Sequence, residues 1–204
     1  ASVTMILGSF FAIGEDNLKR RLAYSTISQL SYILFGVALL SPFGIKGAMV
    51  HIPFHGFMKI TLFLCAGAIM VICGKKEISQ MAGIGKQMPV TMTAFTIGAL
   101  SMIGVPPTGG FVSKWYILAG AFQADNYFAV ATIIVSTALN AAYFLPIIYM
   151  AWFMREPEPA AAAHGEAPWP AVLALAITAL LTIAFFFFNG ATIQLERQVV
   201  ENLL

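Results

Sequence analysis

Of 204 residues, 59% are hydrophobic and only 10% are charged, against about 25% charged in a typical soluble domain. With 17 Phe and a mean hydropathy of +0.84, the composition excludes an ordinary soluble domain and implies a polytopic membrane protein. The formal net charge of +2, with no basic cluster interleaved with aromatics, argues against a nucleic-acid partner.

The chain opens on an apolar run, Ser2 to Gly14, about seven residues short of the ~20 that a span requires. No charged leader precedes it, so it does not resemble a signal peptide. The expectation is that the chain begins inside a transmembrane helix and is the C-terminal part of something longer. A charged connector, Glu15 to Arg21, leads to a span over Leu22 to Leu40, which Ser41-Pro42-Phe43-Gly44 ends. The next span, Ala48 to Cys73, carries His51, His55 and Lys59. A basic loop over 74–88 holds Lys75, Lys76 and Lys86 against Glu77. Val90 to Val105 is apolar, Pro106-Pro107-Thr108-Gly109-Gly110 interrupts it, and Phe111 to Gln123 resumes. Tyr127 to Met154 is a long span containing Pro146, and a linker over 155–168 leads to a last span, Trp169 to Phe188. An amphipathic tail over 191–204 sets Ile193, Leu195, Val199, Val200 and Leu203 against Glu196, Arg197 and Glu201. The expected fold is all-α: a transmembrane helix bundle of about six membrane segments, one of them discontinuous.

Basic residues set the orientation. The connector 15–21 and the loop 74–88 hold three Lys or Arg each, while the turn 41–47 holds only Lys46. The positive-inside rule places the first two on the cytoplasmic face. If 90–123 crosses once, the Asp125–Asn126 turn lies outside and the 155–168 linker inside.

That single crossing depends on the interruption between Gly104 and Gly110. Neither half is long enough to span alone, with 16 residues before the break and 13 after. Pro106 and Pro107, with Gly104, Gly109 and Gly110, cannot continue an α-helix. Non-helical backbone at membrane depth survives only where protein buries it or a wet cavity takes it up. Two half-helices in one crossing fit, and such breaks mark ion sites in transporters. Lys114 is expected in the first turn of the second half. The competing reading is two interfacial half-helices with Lys114 snorkelling to the headgroups.

A charge at the centre of a membrane helix costs about 2.5 to 3.5 kcal/mol on insertion scales, so Lys59 calls for a reason. His51, His55 and Lys59 recur every four residues and share one helix face. No acid lies in any of the spans, which leaves water, His, backbone carbonyls or another subunit as partners for Lys59. A proton-handling role suits it, with His55 and His51 as relays, since imidazole titrates near neutrality. A purely structural Lys59, and plain polar packing of His51 and His55, remain the alternatives. No acid or cysteine completes a metal set with the two histidines, so no metal is expected. Ser25, Ser28, Gln29 and Tyr32, with Asn140 and Tyr143, either hold water beside Lys59 or bond helices together. Trp115, Trp152 and Trp169 read as packing or interfacial residues. Cys65 and Cys73, about 12 Å apart along one helix, cannot bridge each other. No catalytic constellation and no cofactor motif is present, so any redox chemistry belongs to another subunit.

Three strings occur in order: Asp16-Asn17-Leu18-Lys19-Arg20-Arg21-Leu22-Ala23-Tyr24-Ser25-Thr26-Ile27-Ser28-Gln29-Leu30, then His51-x-x-x-His55-x-x-x-Lys59, then Gly104-Val105-Pro106-Pro107-Thr108-Gly109-Gly110-Phe111-Val112-Ser113-Lys114. Together they resemble the proton-translocating antiporter-like subunits shared by respiratory complex I and the multisubunit Na⁺/H⁺ (Mrp-type) antiporters. The single compact span after the 127–154 helix is more similar to the D-type subunit of Mrp antiporters, or to the N- and M-type subunits of complex I, than to the longer L-type. Trp115, where L-type subunits usually carry an acid, points the same way. The resemblance implies that residues 1–154 are the second of two helical repeats, with lysines on a hydrated axis. Lys59 would match the central lysine and Lys114 the lysine of the broken helix, with His55 between them. It also implies an upstream repeat bearing a Glu–Lys pair.

The resulting expectation is a subunit that conducts protons, with or without Na⁺, inside a multisubunit antiporter or quinone-reductase-like complex. Its partners would be neighbouring membrane subunits and the lipid of a bacterial inner membrane. An anionic-substrate transporter and a non-transporting membrane scaffold are the alternatives.

Overall fold

The computed structural model describes residues 1–155 and 165–190. The amphipathic tail 191–204 and most of the linker lie outside the described residues. Eight α-helices follow one another: α1 (Ser2–Gly14), α2 (Leu18–Ala38), α3 (Pro42–Cys73), α4 (Ile84–Gln87), α5 (Pro89–Ile103), α6 (Gly109–Gln123), α7 (Tyr127–Phe153) and α8 (Trp169–Phe187). A single 3₁₀ turn spans Ile78–Gln80, and there is no strand among the described residues. By length and composition α3, α7 and α8 can each cross a membrane. At 21 residues α2 is also long enough, but it carries the polar side chains that turn inward.

The sequence locates the helix ends. Asn17 Oδ1 accepts from the Arg20 amide at the start of α2 (3.2 Å), and Ser41 Oγ accepts from Gly44 N at the start of α3 (3.1 Å). Pro42 and Pro89 stand in the first turns of α3 and α5, where the missing N–H costs nothing. The Ser41-Pro42 break therefore starts α3 six residues earlier than the expected Ala48. At 32 residues α3 is about 48 Å long, more than the ~30 Å hydrocarbon thickness. It is the central element, packed by α2, α5, α6 and α8, while α1 lies against α2 and α7.

Close approach between α3 and α6 depends on small residues. A Cβ built on Gly120 would overlap the Gly44 backbone, and one on Gly47 would meet the Ile117 amide at 2.6 Å. In lipid, where apolar side chains gain nothing by leaving solvent, such backbone contact supplies the association energy. The outward faces are apolar, with Val3, Leu34, Val71 and Phe128 all more than half exposed. The buried set includes Ser9, Ser25, Ser28, Gln29, His51, His55, Lys59, Lys114 and Asn140. That inversion of a soluble protein's pattern is what lipid as solvent selects.

One end of the bundle gathers the basic loops. Leu18 N donates to the Lys76 carbonyl (3.0 Å), Ile78 N to the Asp16 carbonyl (2.8 Å), and Ser79 Oγ to Asp16 Oδ2 (2.7 Å). The same end holds the close of α7, through Gly83 N to the Met150 carbonyl (3.1 Å). It also holds the start of α5, whose Val90 N donates to Glu166 Oε1 (2.6 Å). At the far end Ser41 Oγ, in the α2–α3 turn, donates to the Gly120 carbonyl near the end of α6 (3.0 Å).

Arg21, expected in the charged connector, is drawn into the bundle. It is buried, and it ties three helices together: Nε donates to the Glu15 carbonyl (2.8 Å), one terminal nitrogen to the Ile13 carbonyl (3.2 Å) and the other to the Tyr143 carbonyl (3.1 Å).

Candidate functional site

Lys59 projects from the middle of α3 and is buried. Its Nζ donates to the Leu22 carbonyl (2.8 Å) and to Ser25 Oγ, both on α2. Ser25 Oγ in turn donates to the Leu22 carbonyl (2.8 Å). The charge is thus solvated by one backbone and one hydroxyl oxygen, neither of them a carboxylate.

Lys114 lies in the second turn of α6, not the first, because α6 begins at Gly109. Its side chain reaches back across the break. Nζ donates to the carbonyls of Met102 (2.8 Å) and Ile103 (3.1 Å), among the last of α5. A helix leaves its last four carbonyls without intrahelical partners and carries partial negative charge there, so this end suits an ammonium group. The Tyr32 ring lies 4.7 Å from Nζ on another side, a cation–π contact.

The break itself is closely fitted. Gly104 ends α5 with φ +94°, a left-handed conformation that favours glycine. Gly110 N donates to Ser101 Oγ (3.1 Å), and a Cβ on Gly110 would land on the Ser101 carbonyl oxygen. Only a glycine lets α6 start this close to α5.

Asn140 of α7 links Lys114 to Gln29 of α2. With its Oδ1 toward the Lys114 ammonium, it accepts from Lys114 Nζ and Gln29 Nε2, each at 2.8 Å. Its NH₂ then donates to Tyr143 Oη (2.8 Å) and the Ser136 carbonyl (3.3 Å). Lys114 has three donors and meets three acceptors.

His51 and His55 form a separate wall on α3, their rings stacked at 5.6 Å. His51 Nδ1 is 2.8 Å from Ser113 Oγ, which donates to the Gly110 carbonyl (3.2 Å). With the hydroxyl proton so used, Nδ1 carries the imidazole hydrogen and Nε2 holds the lone pair. The Nε2 atoms of both histidines are buried without partners, as are Gln29 Oε1, Tyr32 Oη and Ser136 Oγ. Such a layer of orphaned polar atoms suits internal water.

Among the expected site residues, the structure brings Lys59 to Ser25, Lys114 to Asn140 and Gln29, and His51 to Tyr32 and the Lys114 helix. His55 has no bond to Lys59. Ser28 sits elsewhere, bonded to Ser9 (2.9 Å) and the Met5 carbonyl (2.9 Å) on α1. No group of three or more metal-ligating side chains occurs among the described residues. A cavity of ≈ 350 Å³ runs between α5 and α8, and one of ≈ 220 Å³ opens beside the break, lined by Ile103, Phe111, Trp115 and Ile134. The latter is apolar apart from Lys114 and Thr137, and the Lys114 ammonium is directed away to its carbonyls. Sequence reasoning misses Ser101 and Ser113. Their signal is present nonetheless, a hydroxyl three residues before Gly104 and another next to Lys114.

Residues 1–140 match the family described as NADH:quinone oxidoreductase/Mrp antiporter, TM. The chain belongs to this family. It is 40% identical over 168 residues to the N-type subunit of the NADH-quinone oxidoreductase of Desulforudis audaxviator, covering 82% of this chain and 34% of that protein. It is 31% identical over 204 residues to the D-type subunit of the Na(+)/H(+) antiporter of Alkalihalophilus pseudofirmus, covering 98% of this chain and 41% of that one. Its backbone matches a chain of the Mrp complex from Dietzia sp. DQ12-45-1b with a TM-score of 0.87 at 26% identity, covering 96% of this chain and 44% of that one. The chain spans less than half the length of these relatives. It is an integral membrane protein of the complex I and Mrp type.

Proposed function

We propose that this chain carries protons within a larger membrane assembly, an Mrp-type antiporter or an NADH:quinone oxidoreductase-like complex, with neighbouring membrane subunits as partners. Residues 1–154 act as one antiporter-like repeat, 155–168 as a linker and 169–190 as a further membrane helix. The observation that carries this reading is the pair of buried lysines solvated by neutral oxygens. A lysine locked to a buried carboxylate is strongly held, and breaking such a pair costs about 3 to 5 kcal/mol. Lys59 and Lys114 bond to carbonyls, a hydroxyl and an amide, which hold the charge without fixing it. Protons pass between Lys59 and Lys114 by way of His55, His51 and water, whose access the unpartnered imidazole nitrogens support.

The same reading makes α5 and α6 one interrupted crossing. It is supported by α5 starting at the basic-loop end and α6 finishing at the α2–α3 turn. Loops 15–21 and 74–88 then lie together on the cytoplasmic side of a bacterial inner membrane. The driving energy is modest: one charge moved through 100 mV is worth about 2.3 kcal/mol.

The test is proton translocation by the intact parent complex in sealed vesicles, comparing wild type with Lys59→Ala and checking assembly by immunoblot. Loss of translocation in an assembled complex is the expected result. Translocation at the wild-type rate refutes the reading and favours a membrane scaffold.

A further inference from the structure

At the basic end of the bundle three lysines share one cleft. It has a volume of ≈ 40 Å³, opens between the start of α2 and the end of α3, and is lined by Asn17, Lys19, Ala66, Met70, Lys75 and Lys76. Lys19 projects from the first turn of α2, while Lys75 and Lys76 follow the left-handed Gly74 (φ +67°) that ends α3. No acid lines the cleft among the described residues. The nearest acids in sequence are engaged elsewhere: Asp16 accepts from Ser79 (2.7 Å), Glu77 from Asn17 Nδ2 (3.3 Å), and Glu15 faces Arg20 at 4.0 Å. The volume admits about three water-sized atoms, the scale of one phosphate group.

Next to the lysines the cleft is apolar, floored by Ala66 and Met70 of α3. Along the same turns of α3, Phe63, Gly67 and Val71 line a second depression, a groove of ≈ 270 Å³ toward α8 that Ala167 and Ala171 close. Nothing lies within 4 Å of a Cβ built on Gly67, so the groove is open there. Trp169, at the start of α8, is 75% exposed. Because Ala167 and Ala171 share the groove with Val71, Trp169 stands level with the last turn of α3. Exposed tryptophans at helix ends sit at the headgroup level of a bilayer, which places the three lysines there too. A cationic cleft above an apolar, lipid-facing groove follows the order of groups in a phospholipid: charged head first, chains after.

We propose that this cleft binds the phosphate of an anionic phospholipid, whose acyl chains pass over Met70 and enter the groove between α3 and α8. Ammonium groups have donors only, and the free oxygens of a phosphodiester are charged acceptors. Each lysine near a membrane surface favours an anionic lipid by about fivefold. Three of them around one small cleft hold the headgroup at a point rather than over a broad surface. A free phosphate or an acidic peptide would satisfy the lysines but leave the apolar floor and the groove without an occupant. The bound lipid bridges the start of α2 and the end of α3, beside the Leu18 N to Lys76 carbonyl bond that already joins them. The inference needs only that the chain spans a membrane, and not that it carries protons.

The test is photolabelling of the parent complex in phosphatidylethanolamine vesicles. These contain a little phosphatidylglycerol with a photoreactive group on one acyl chain, and labelled peptides are mapped by mass spectrometry. Label is expected on α3 between Phe63 and Val71. Excess unlabelled phosphatidylglycerol should suppress it, and inorganic phosphate at matched ionic strength should not. Equal labelling by a phosphatidylethanolamine probe, or suppression by inorganic phosphate, overturns the proposal. Lys19→Gln together with Lys76→Gln changes two exposed side chains and should lower the labelling about tenfold or more. Arg20→Gln together with Lys86→Gln removes two charges from the same end but outside the cleft, and should leave it unchanged. Equal losses in both pairs would mean a diffuse basic surface and overturn the site. Gly67→Leu fills the groove without touching a charge and should also lower the labelling in an assembled complex. Undiminished labelling in that variant takes the chains out of the groove and overturns the proposal. Labelling requires no transport, so its failure is distinct from a failure of proton carriage.

Discussion

Replacing Arg21 by Met removes one guanidinium and its hydrogen bonds to three carbonyls. The Tyr143 carbonyl is buried inside α7 and keeps its helical bond from the Ile147 amide, so it loses a second, charged donor worth about 1.5 to 3 kcal/mol. The Ile13 and Glu15 carbonyls lie at the end of α1 and can recover water, so about 0.5 to 1.5 kcal/mol each is appropriate. The expected loss is about 2.5 to 6 kcal/mol. Arg20→Met is the control, because the neighbouring Arg20 side chain is 76% exposed and its contact with Glu15 is 4.0 Å long. An exposed pair of that kind is worth little, and the variant should change stability by less than about 0.5 kcal/mol. Thermal unfolding of the detergent-solubilised protein, followed by intrinsic fluorescence, reads both variants side by side. Equal midpoints for Arg21→Met and Arg20→Met would refute the claim that Arg21 clamps α1, α2 and α7.

Two further perturbations address the crossing. Gly110→Ala puts a methyl group on the Ser101 carbonyl, so α6 must shift away from α5; overpacking of this sort costs about 1 to 3 kcal/mol, and Lys114 should lose its carbonyl partners. Lower thermal stability with impaired transport is expected, while Gly56→Ala, with open space at its Cβ, should be neutral by both readouts. Glu166→Ala strips the cap from α5, where the carboxylate accepts from Val90 N, Thr91 N (3.3 Å) and Thr91 Oγ1 (2.5 Å); about 1 kcal/mol of stability should go, measured by the same unfolding curve, and no loss would mean that the linker does not hold α5.

Much of the architecture is readable from residue types because a membrane leaves few options. Apolar runs bounded by Pro, Gly and charge mark six of the seven long helices to within a few residues, and the alternation of basic loops matches the end at which they are bonded. The start of α3 differs from expectation because Ser41-Pro42 ends one helix and begins another: the same residues are a stop signal and an N-cap. The site is only partly legible. A period of four places His51, His55 and Lys59 on one face of α3, but it says nothing about what faces them from other helices. The partners of Lys59 are backbone and serine oxygens of α2, and those of Lys114 are carbonyls freed by the break. Backbone groups carry no residue signature, so a side-chain reading sees the lysines but not what solvates them. Arg21 is hidden for a related reason: counted as a connector charge, it bonds three carbonyls.

The break between α5 and α6 acquires its meaning from this solvation. Keeping an ammonium inside a bilayer needs acceptors, and an uninterrupted helix offers only carbonyls that already serve an amide four residues on, as Leu22 does for Lys59. A carboxylate would provide acceptors but also full negative charge, and the resulting pair would resist separation. Ending α5 at Gly104 releases its last carbonyls, partly negative and fixed in place. Starting α6 only a few residues later, through Gly109 and Gly110, brings Lys114 back onto those carbonyls. The interruption thus gives the Lys114 ammonium neutral acceptors in place of a carboxylate. Substituting an acid for one of its neutral partners, as in Asn140→Asp, should strengthen the hold on the proton and so impair its passage.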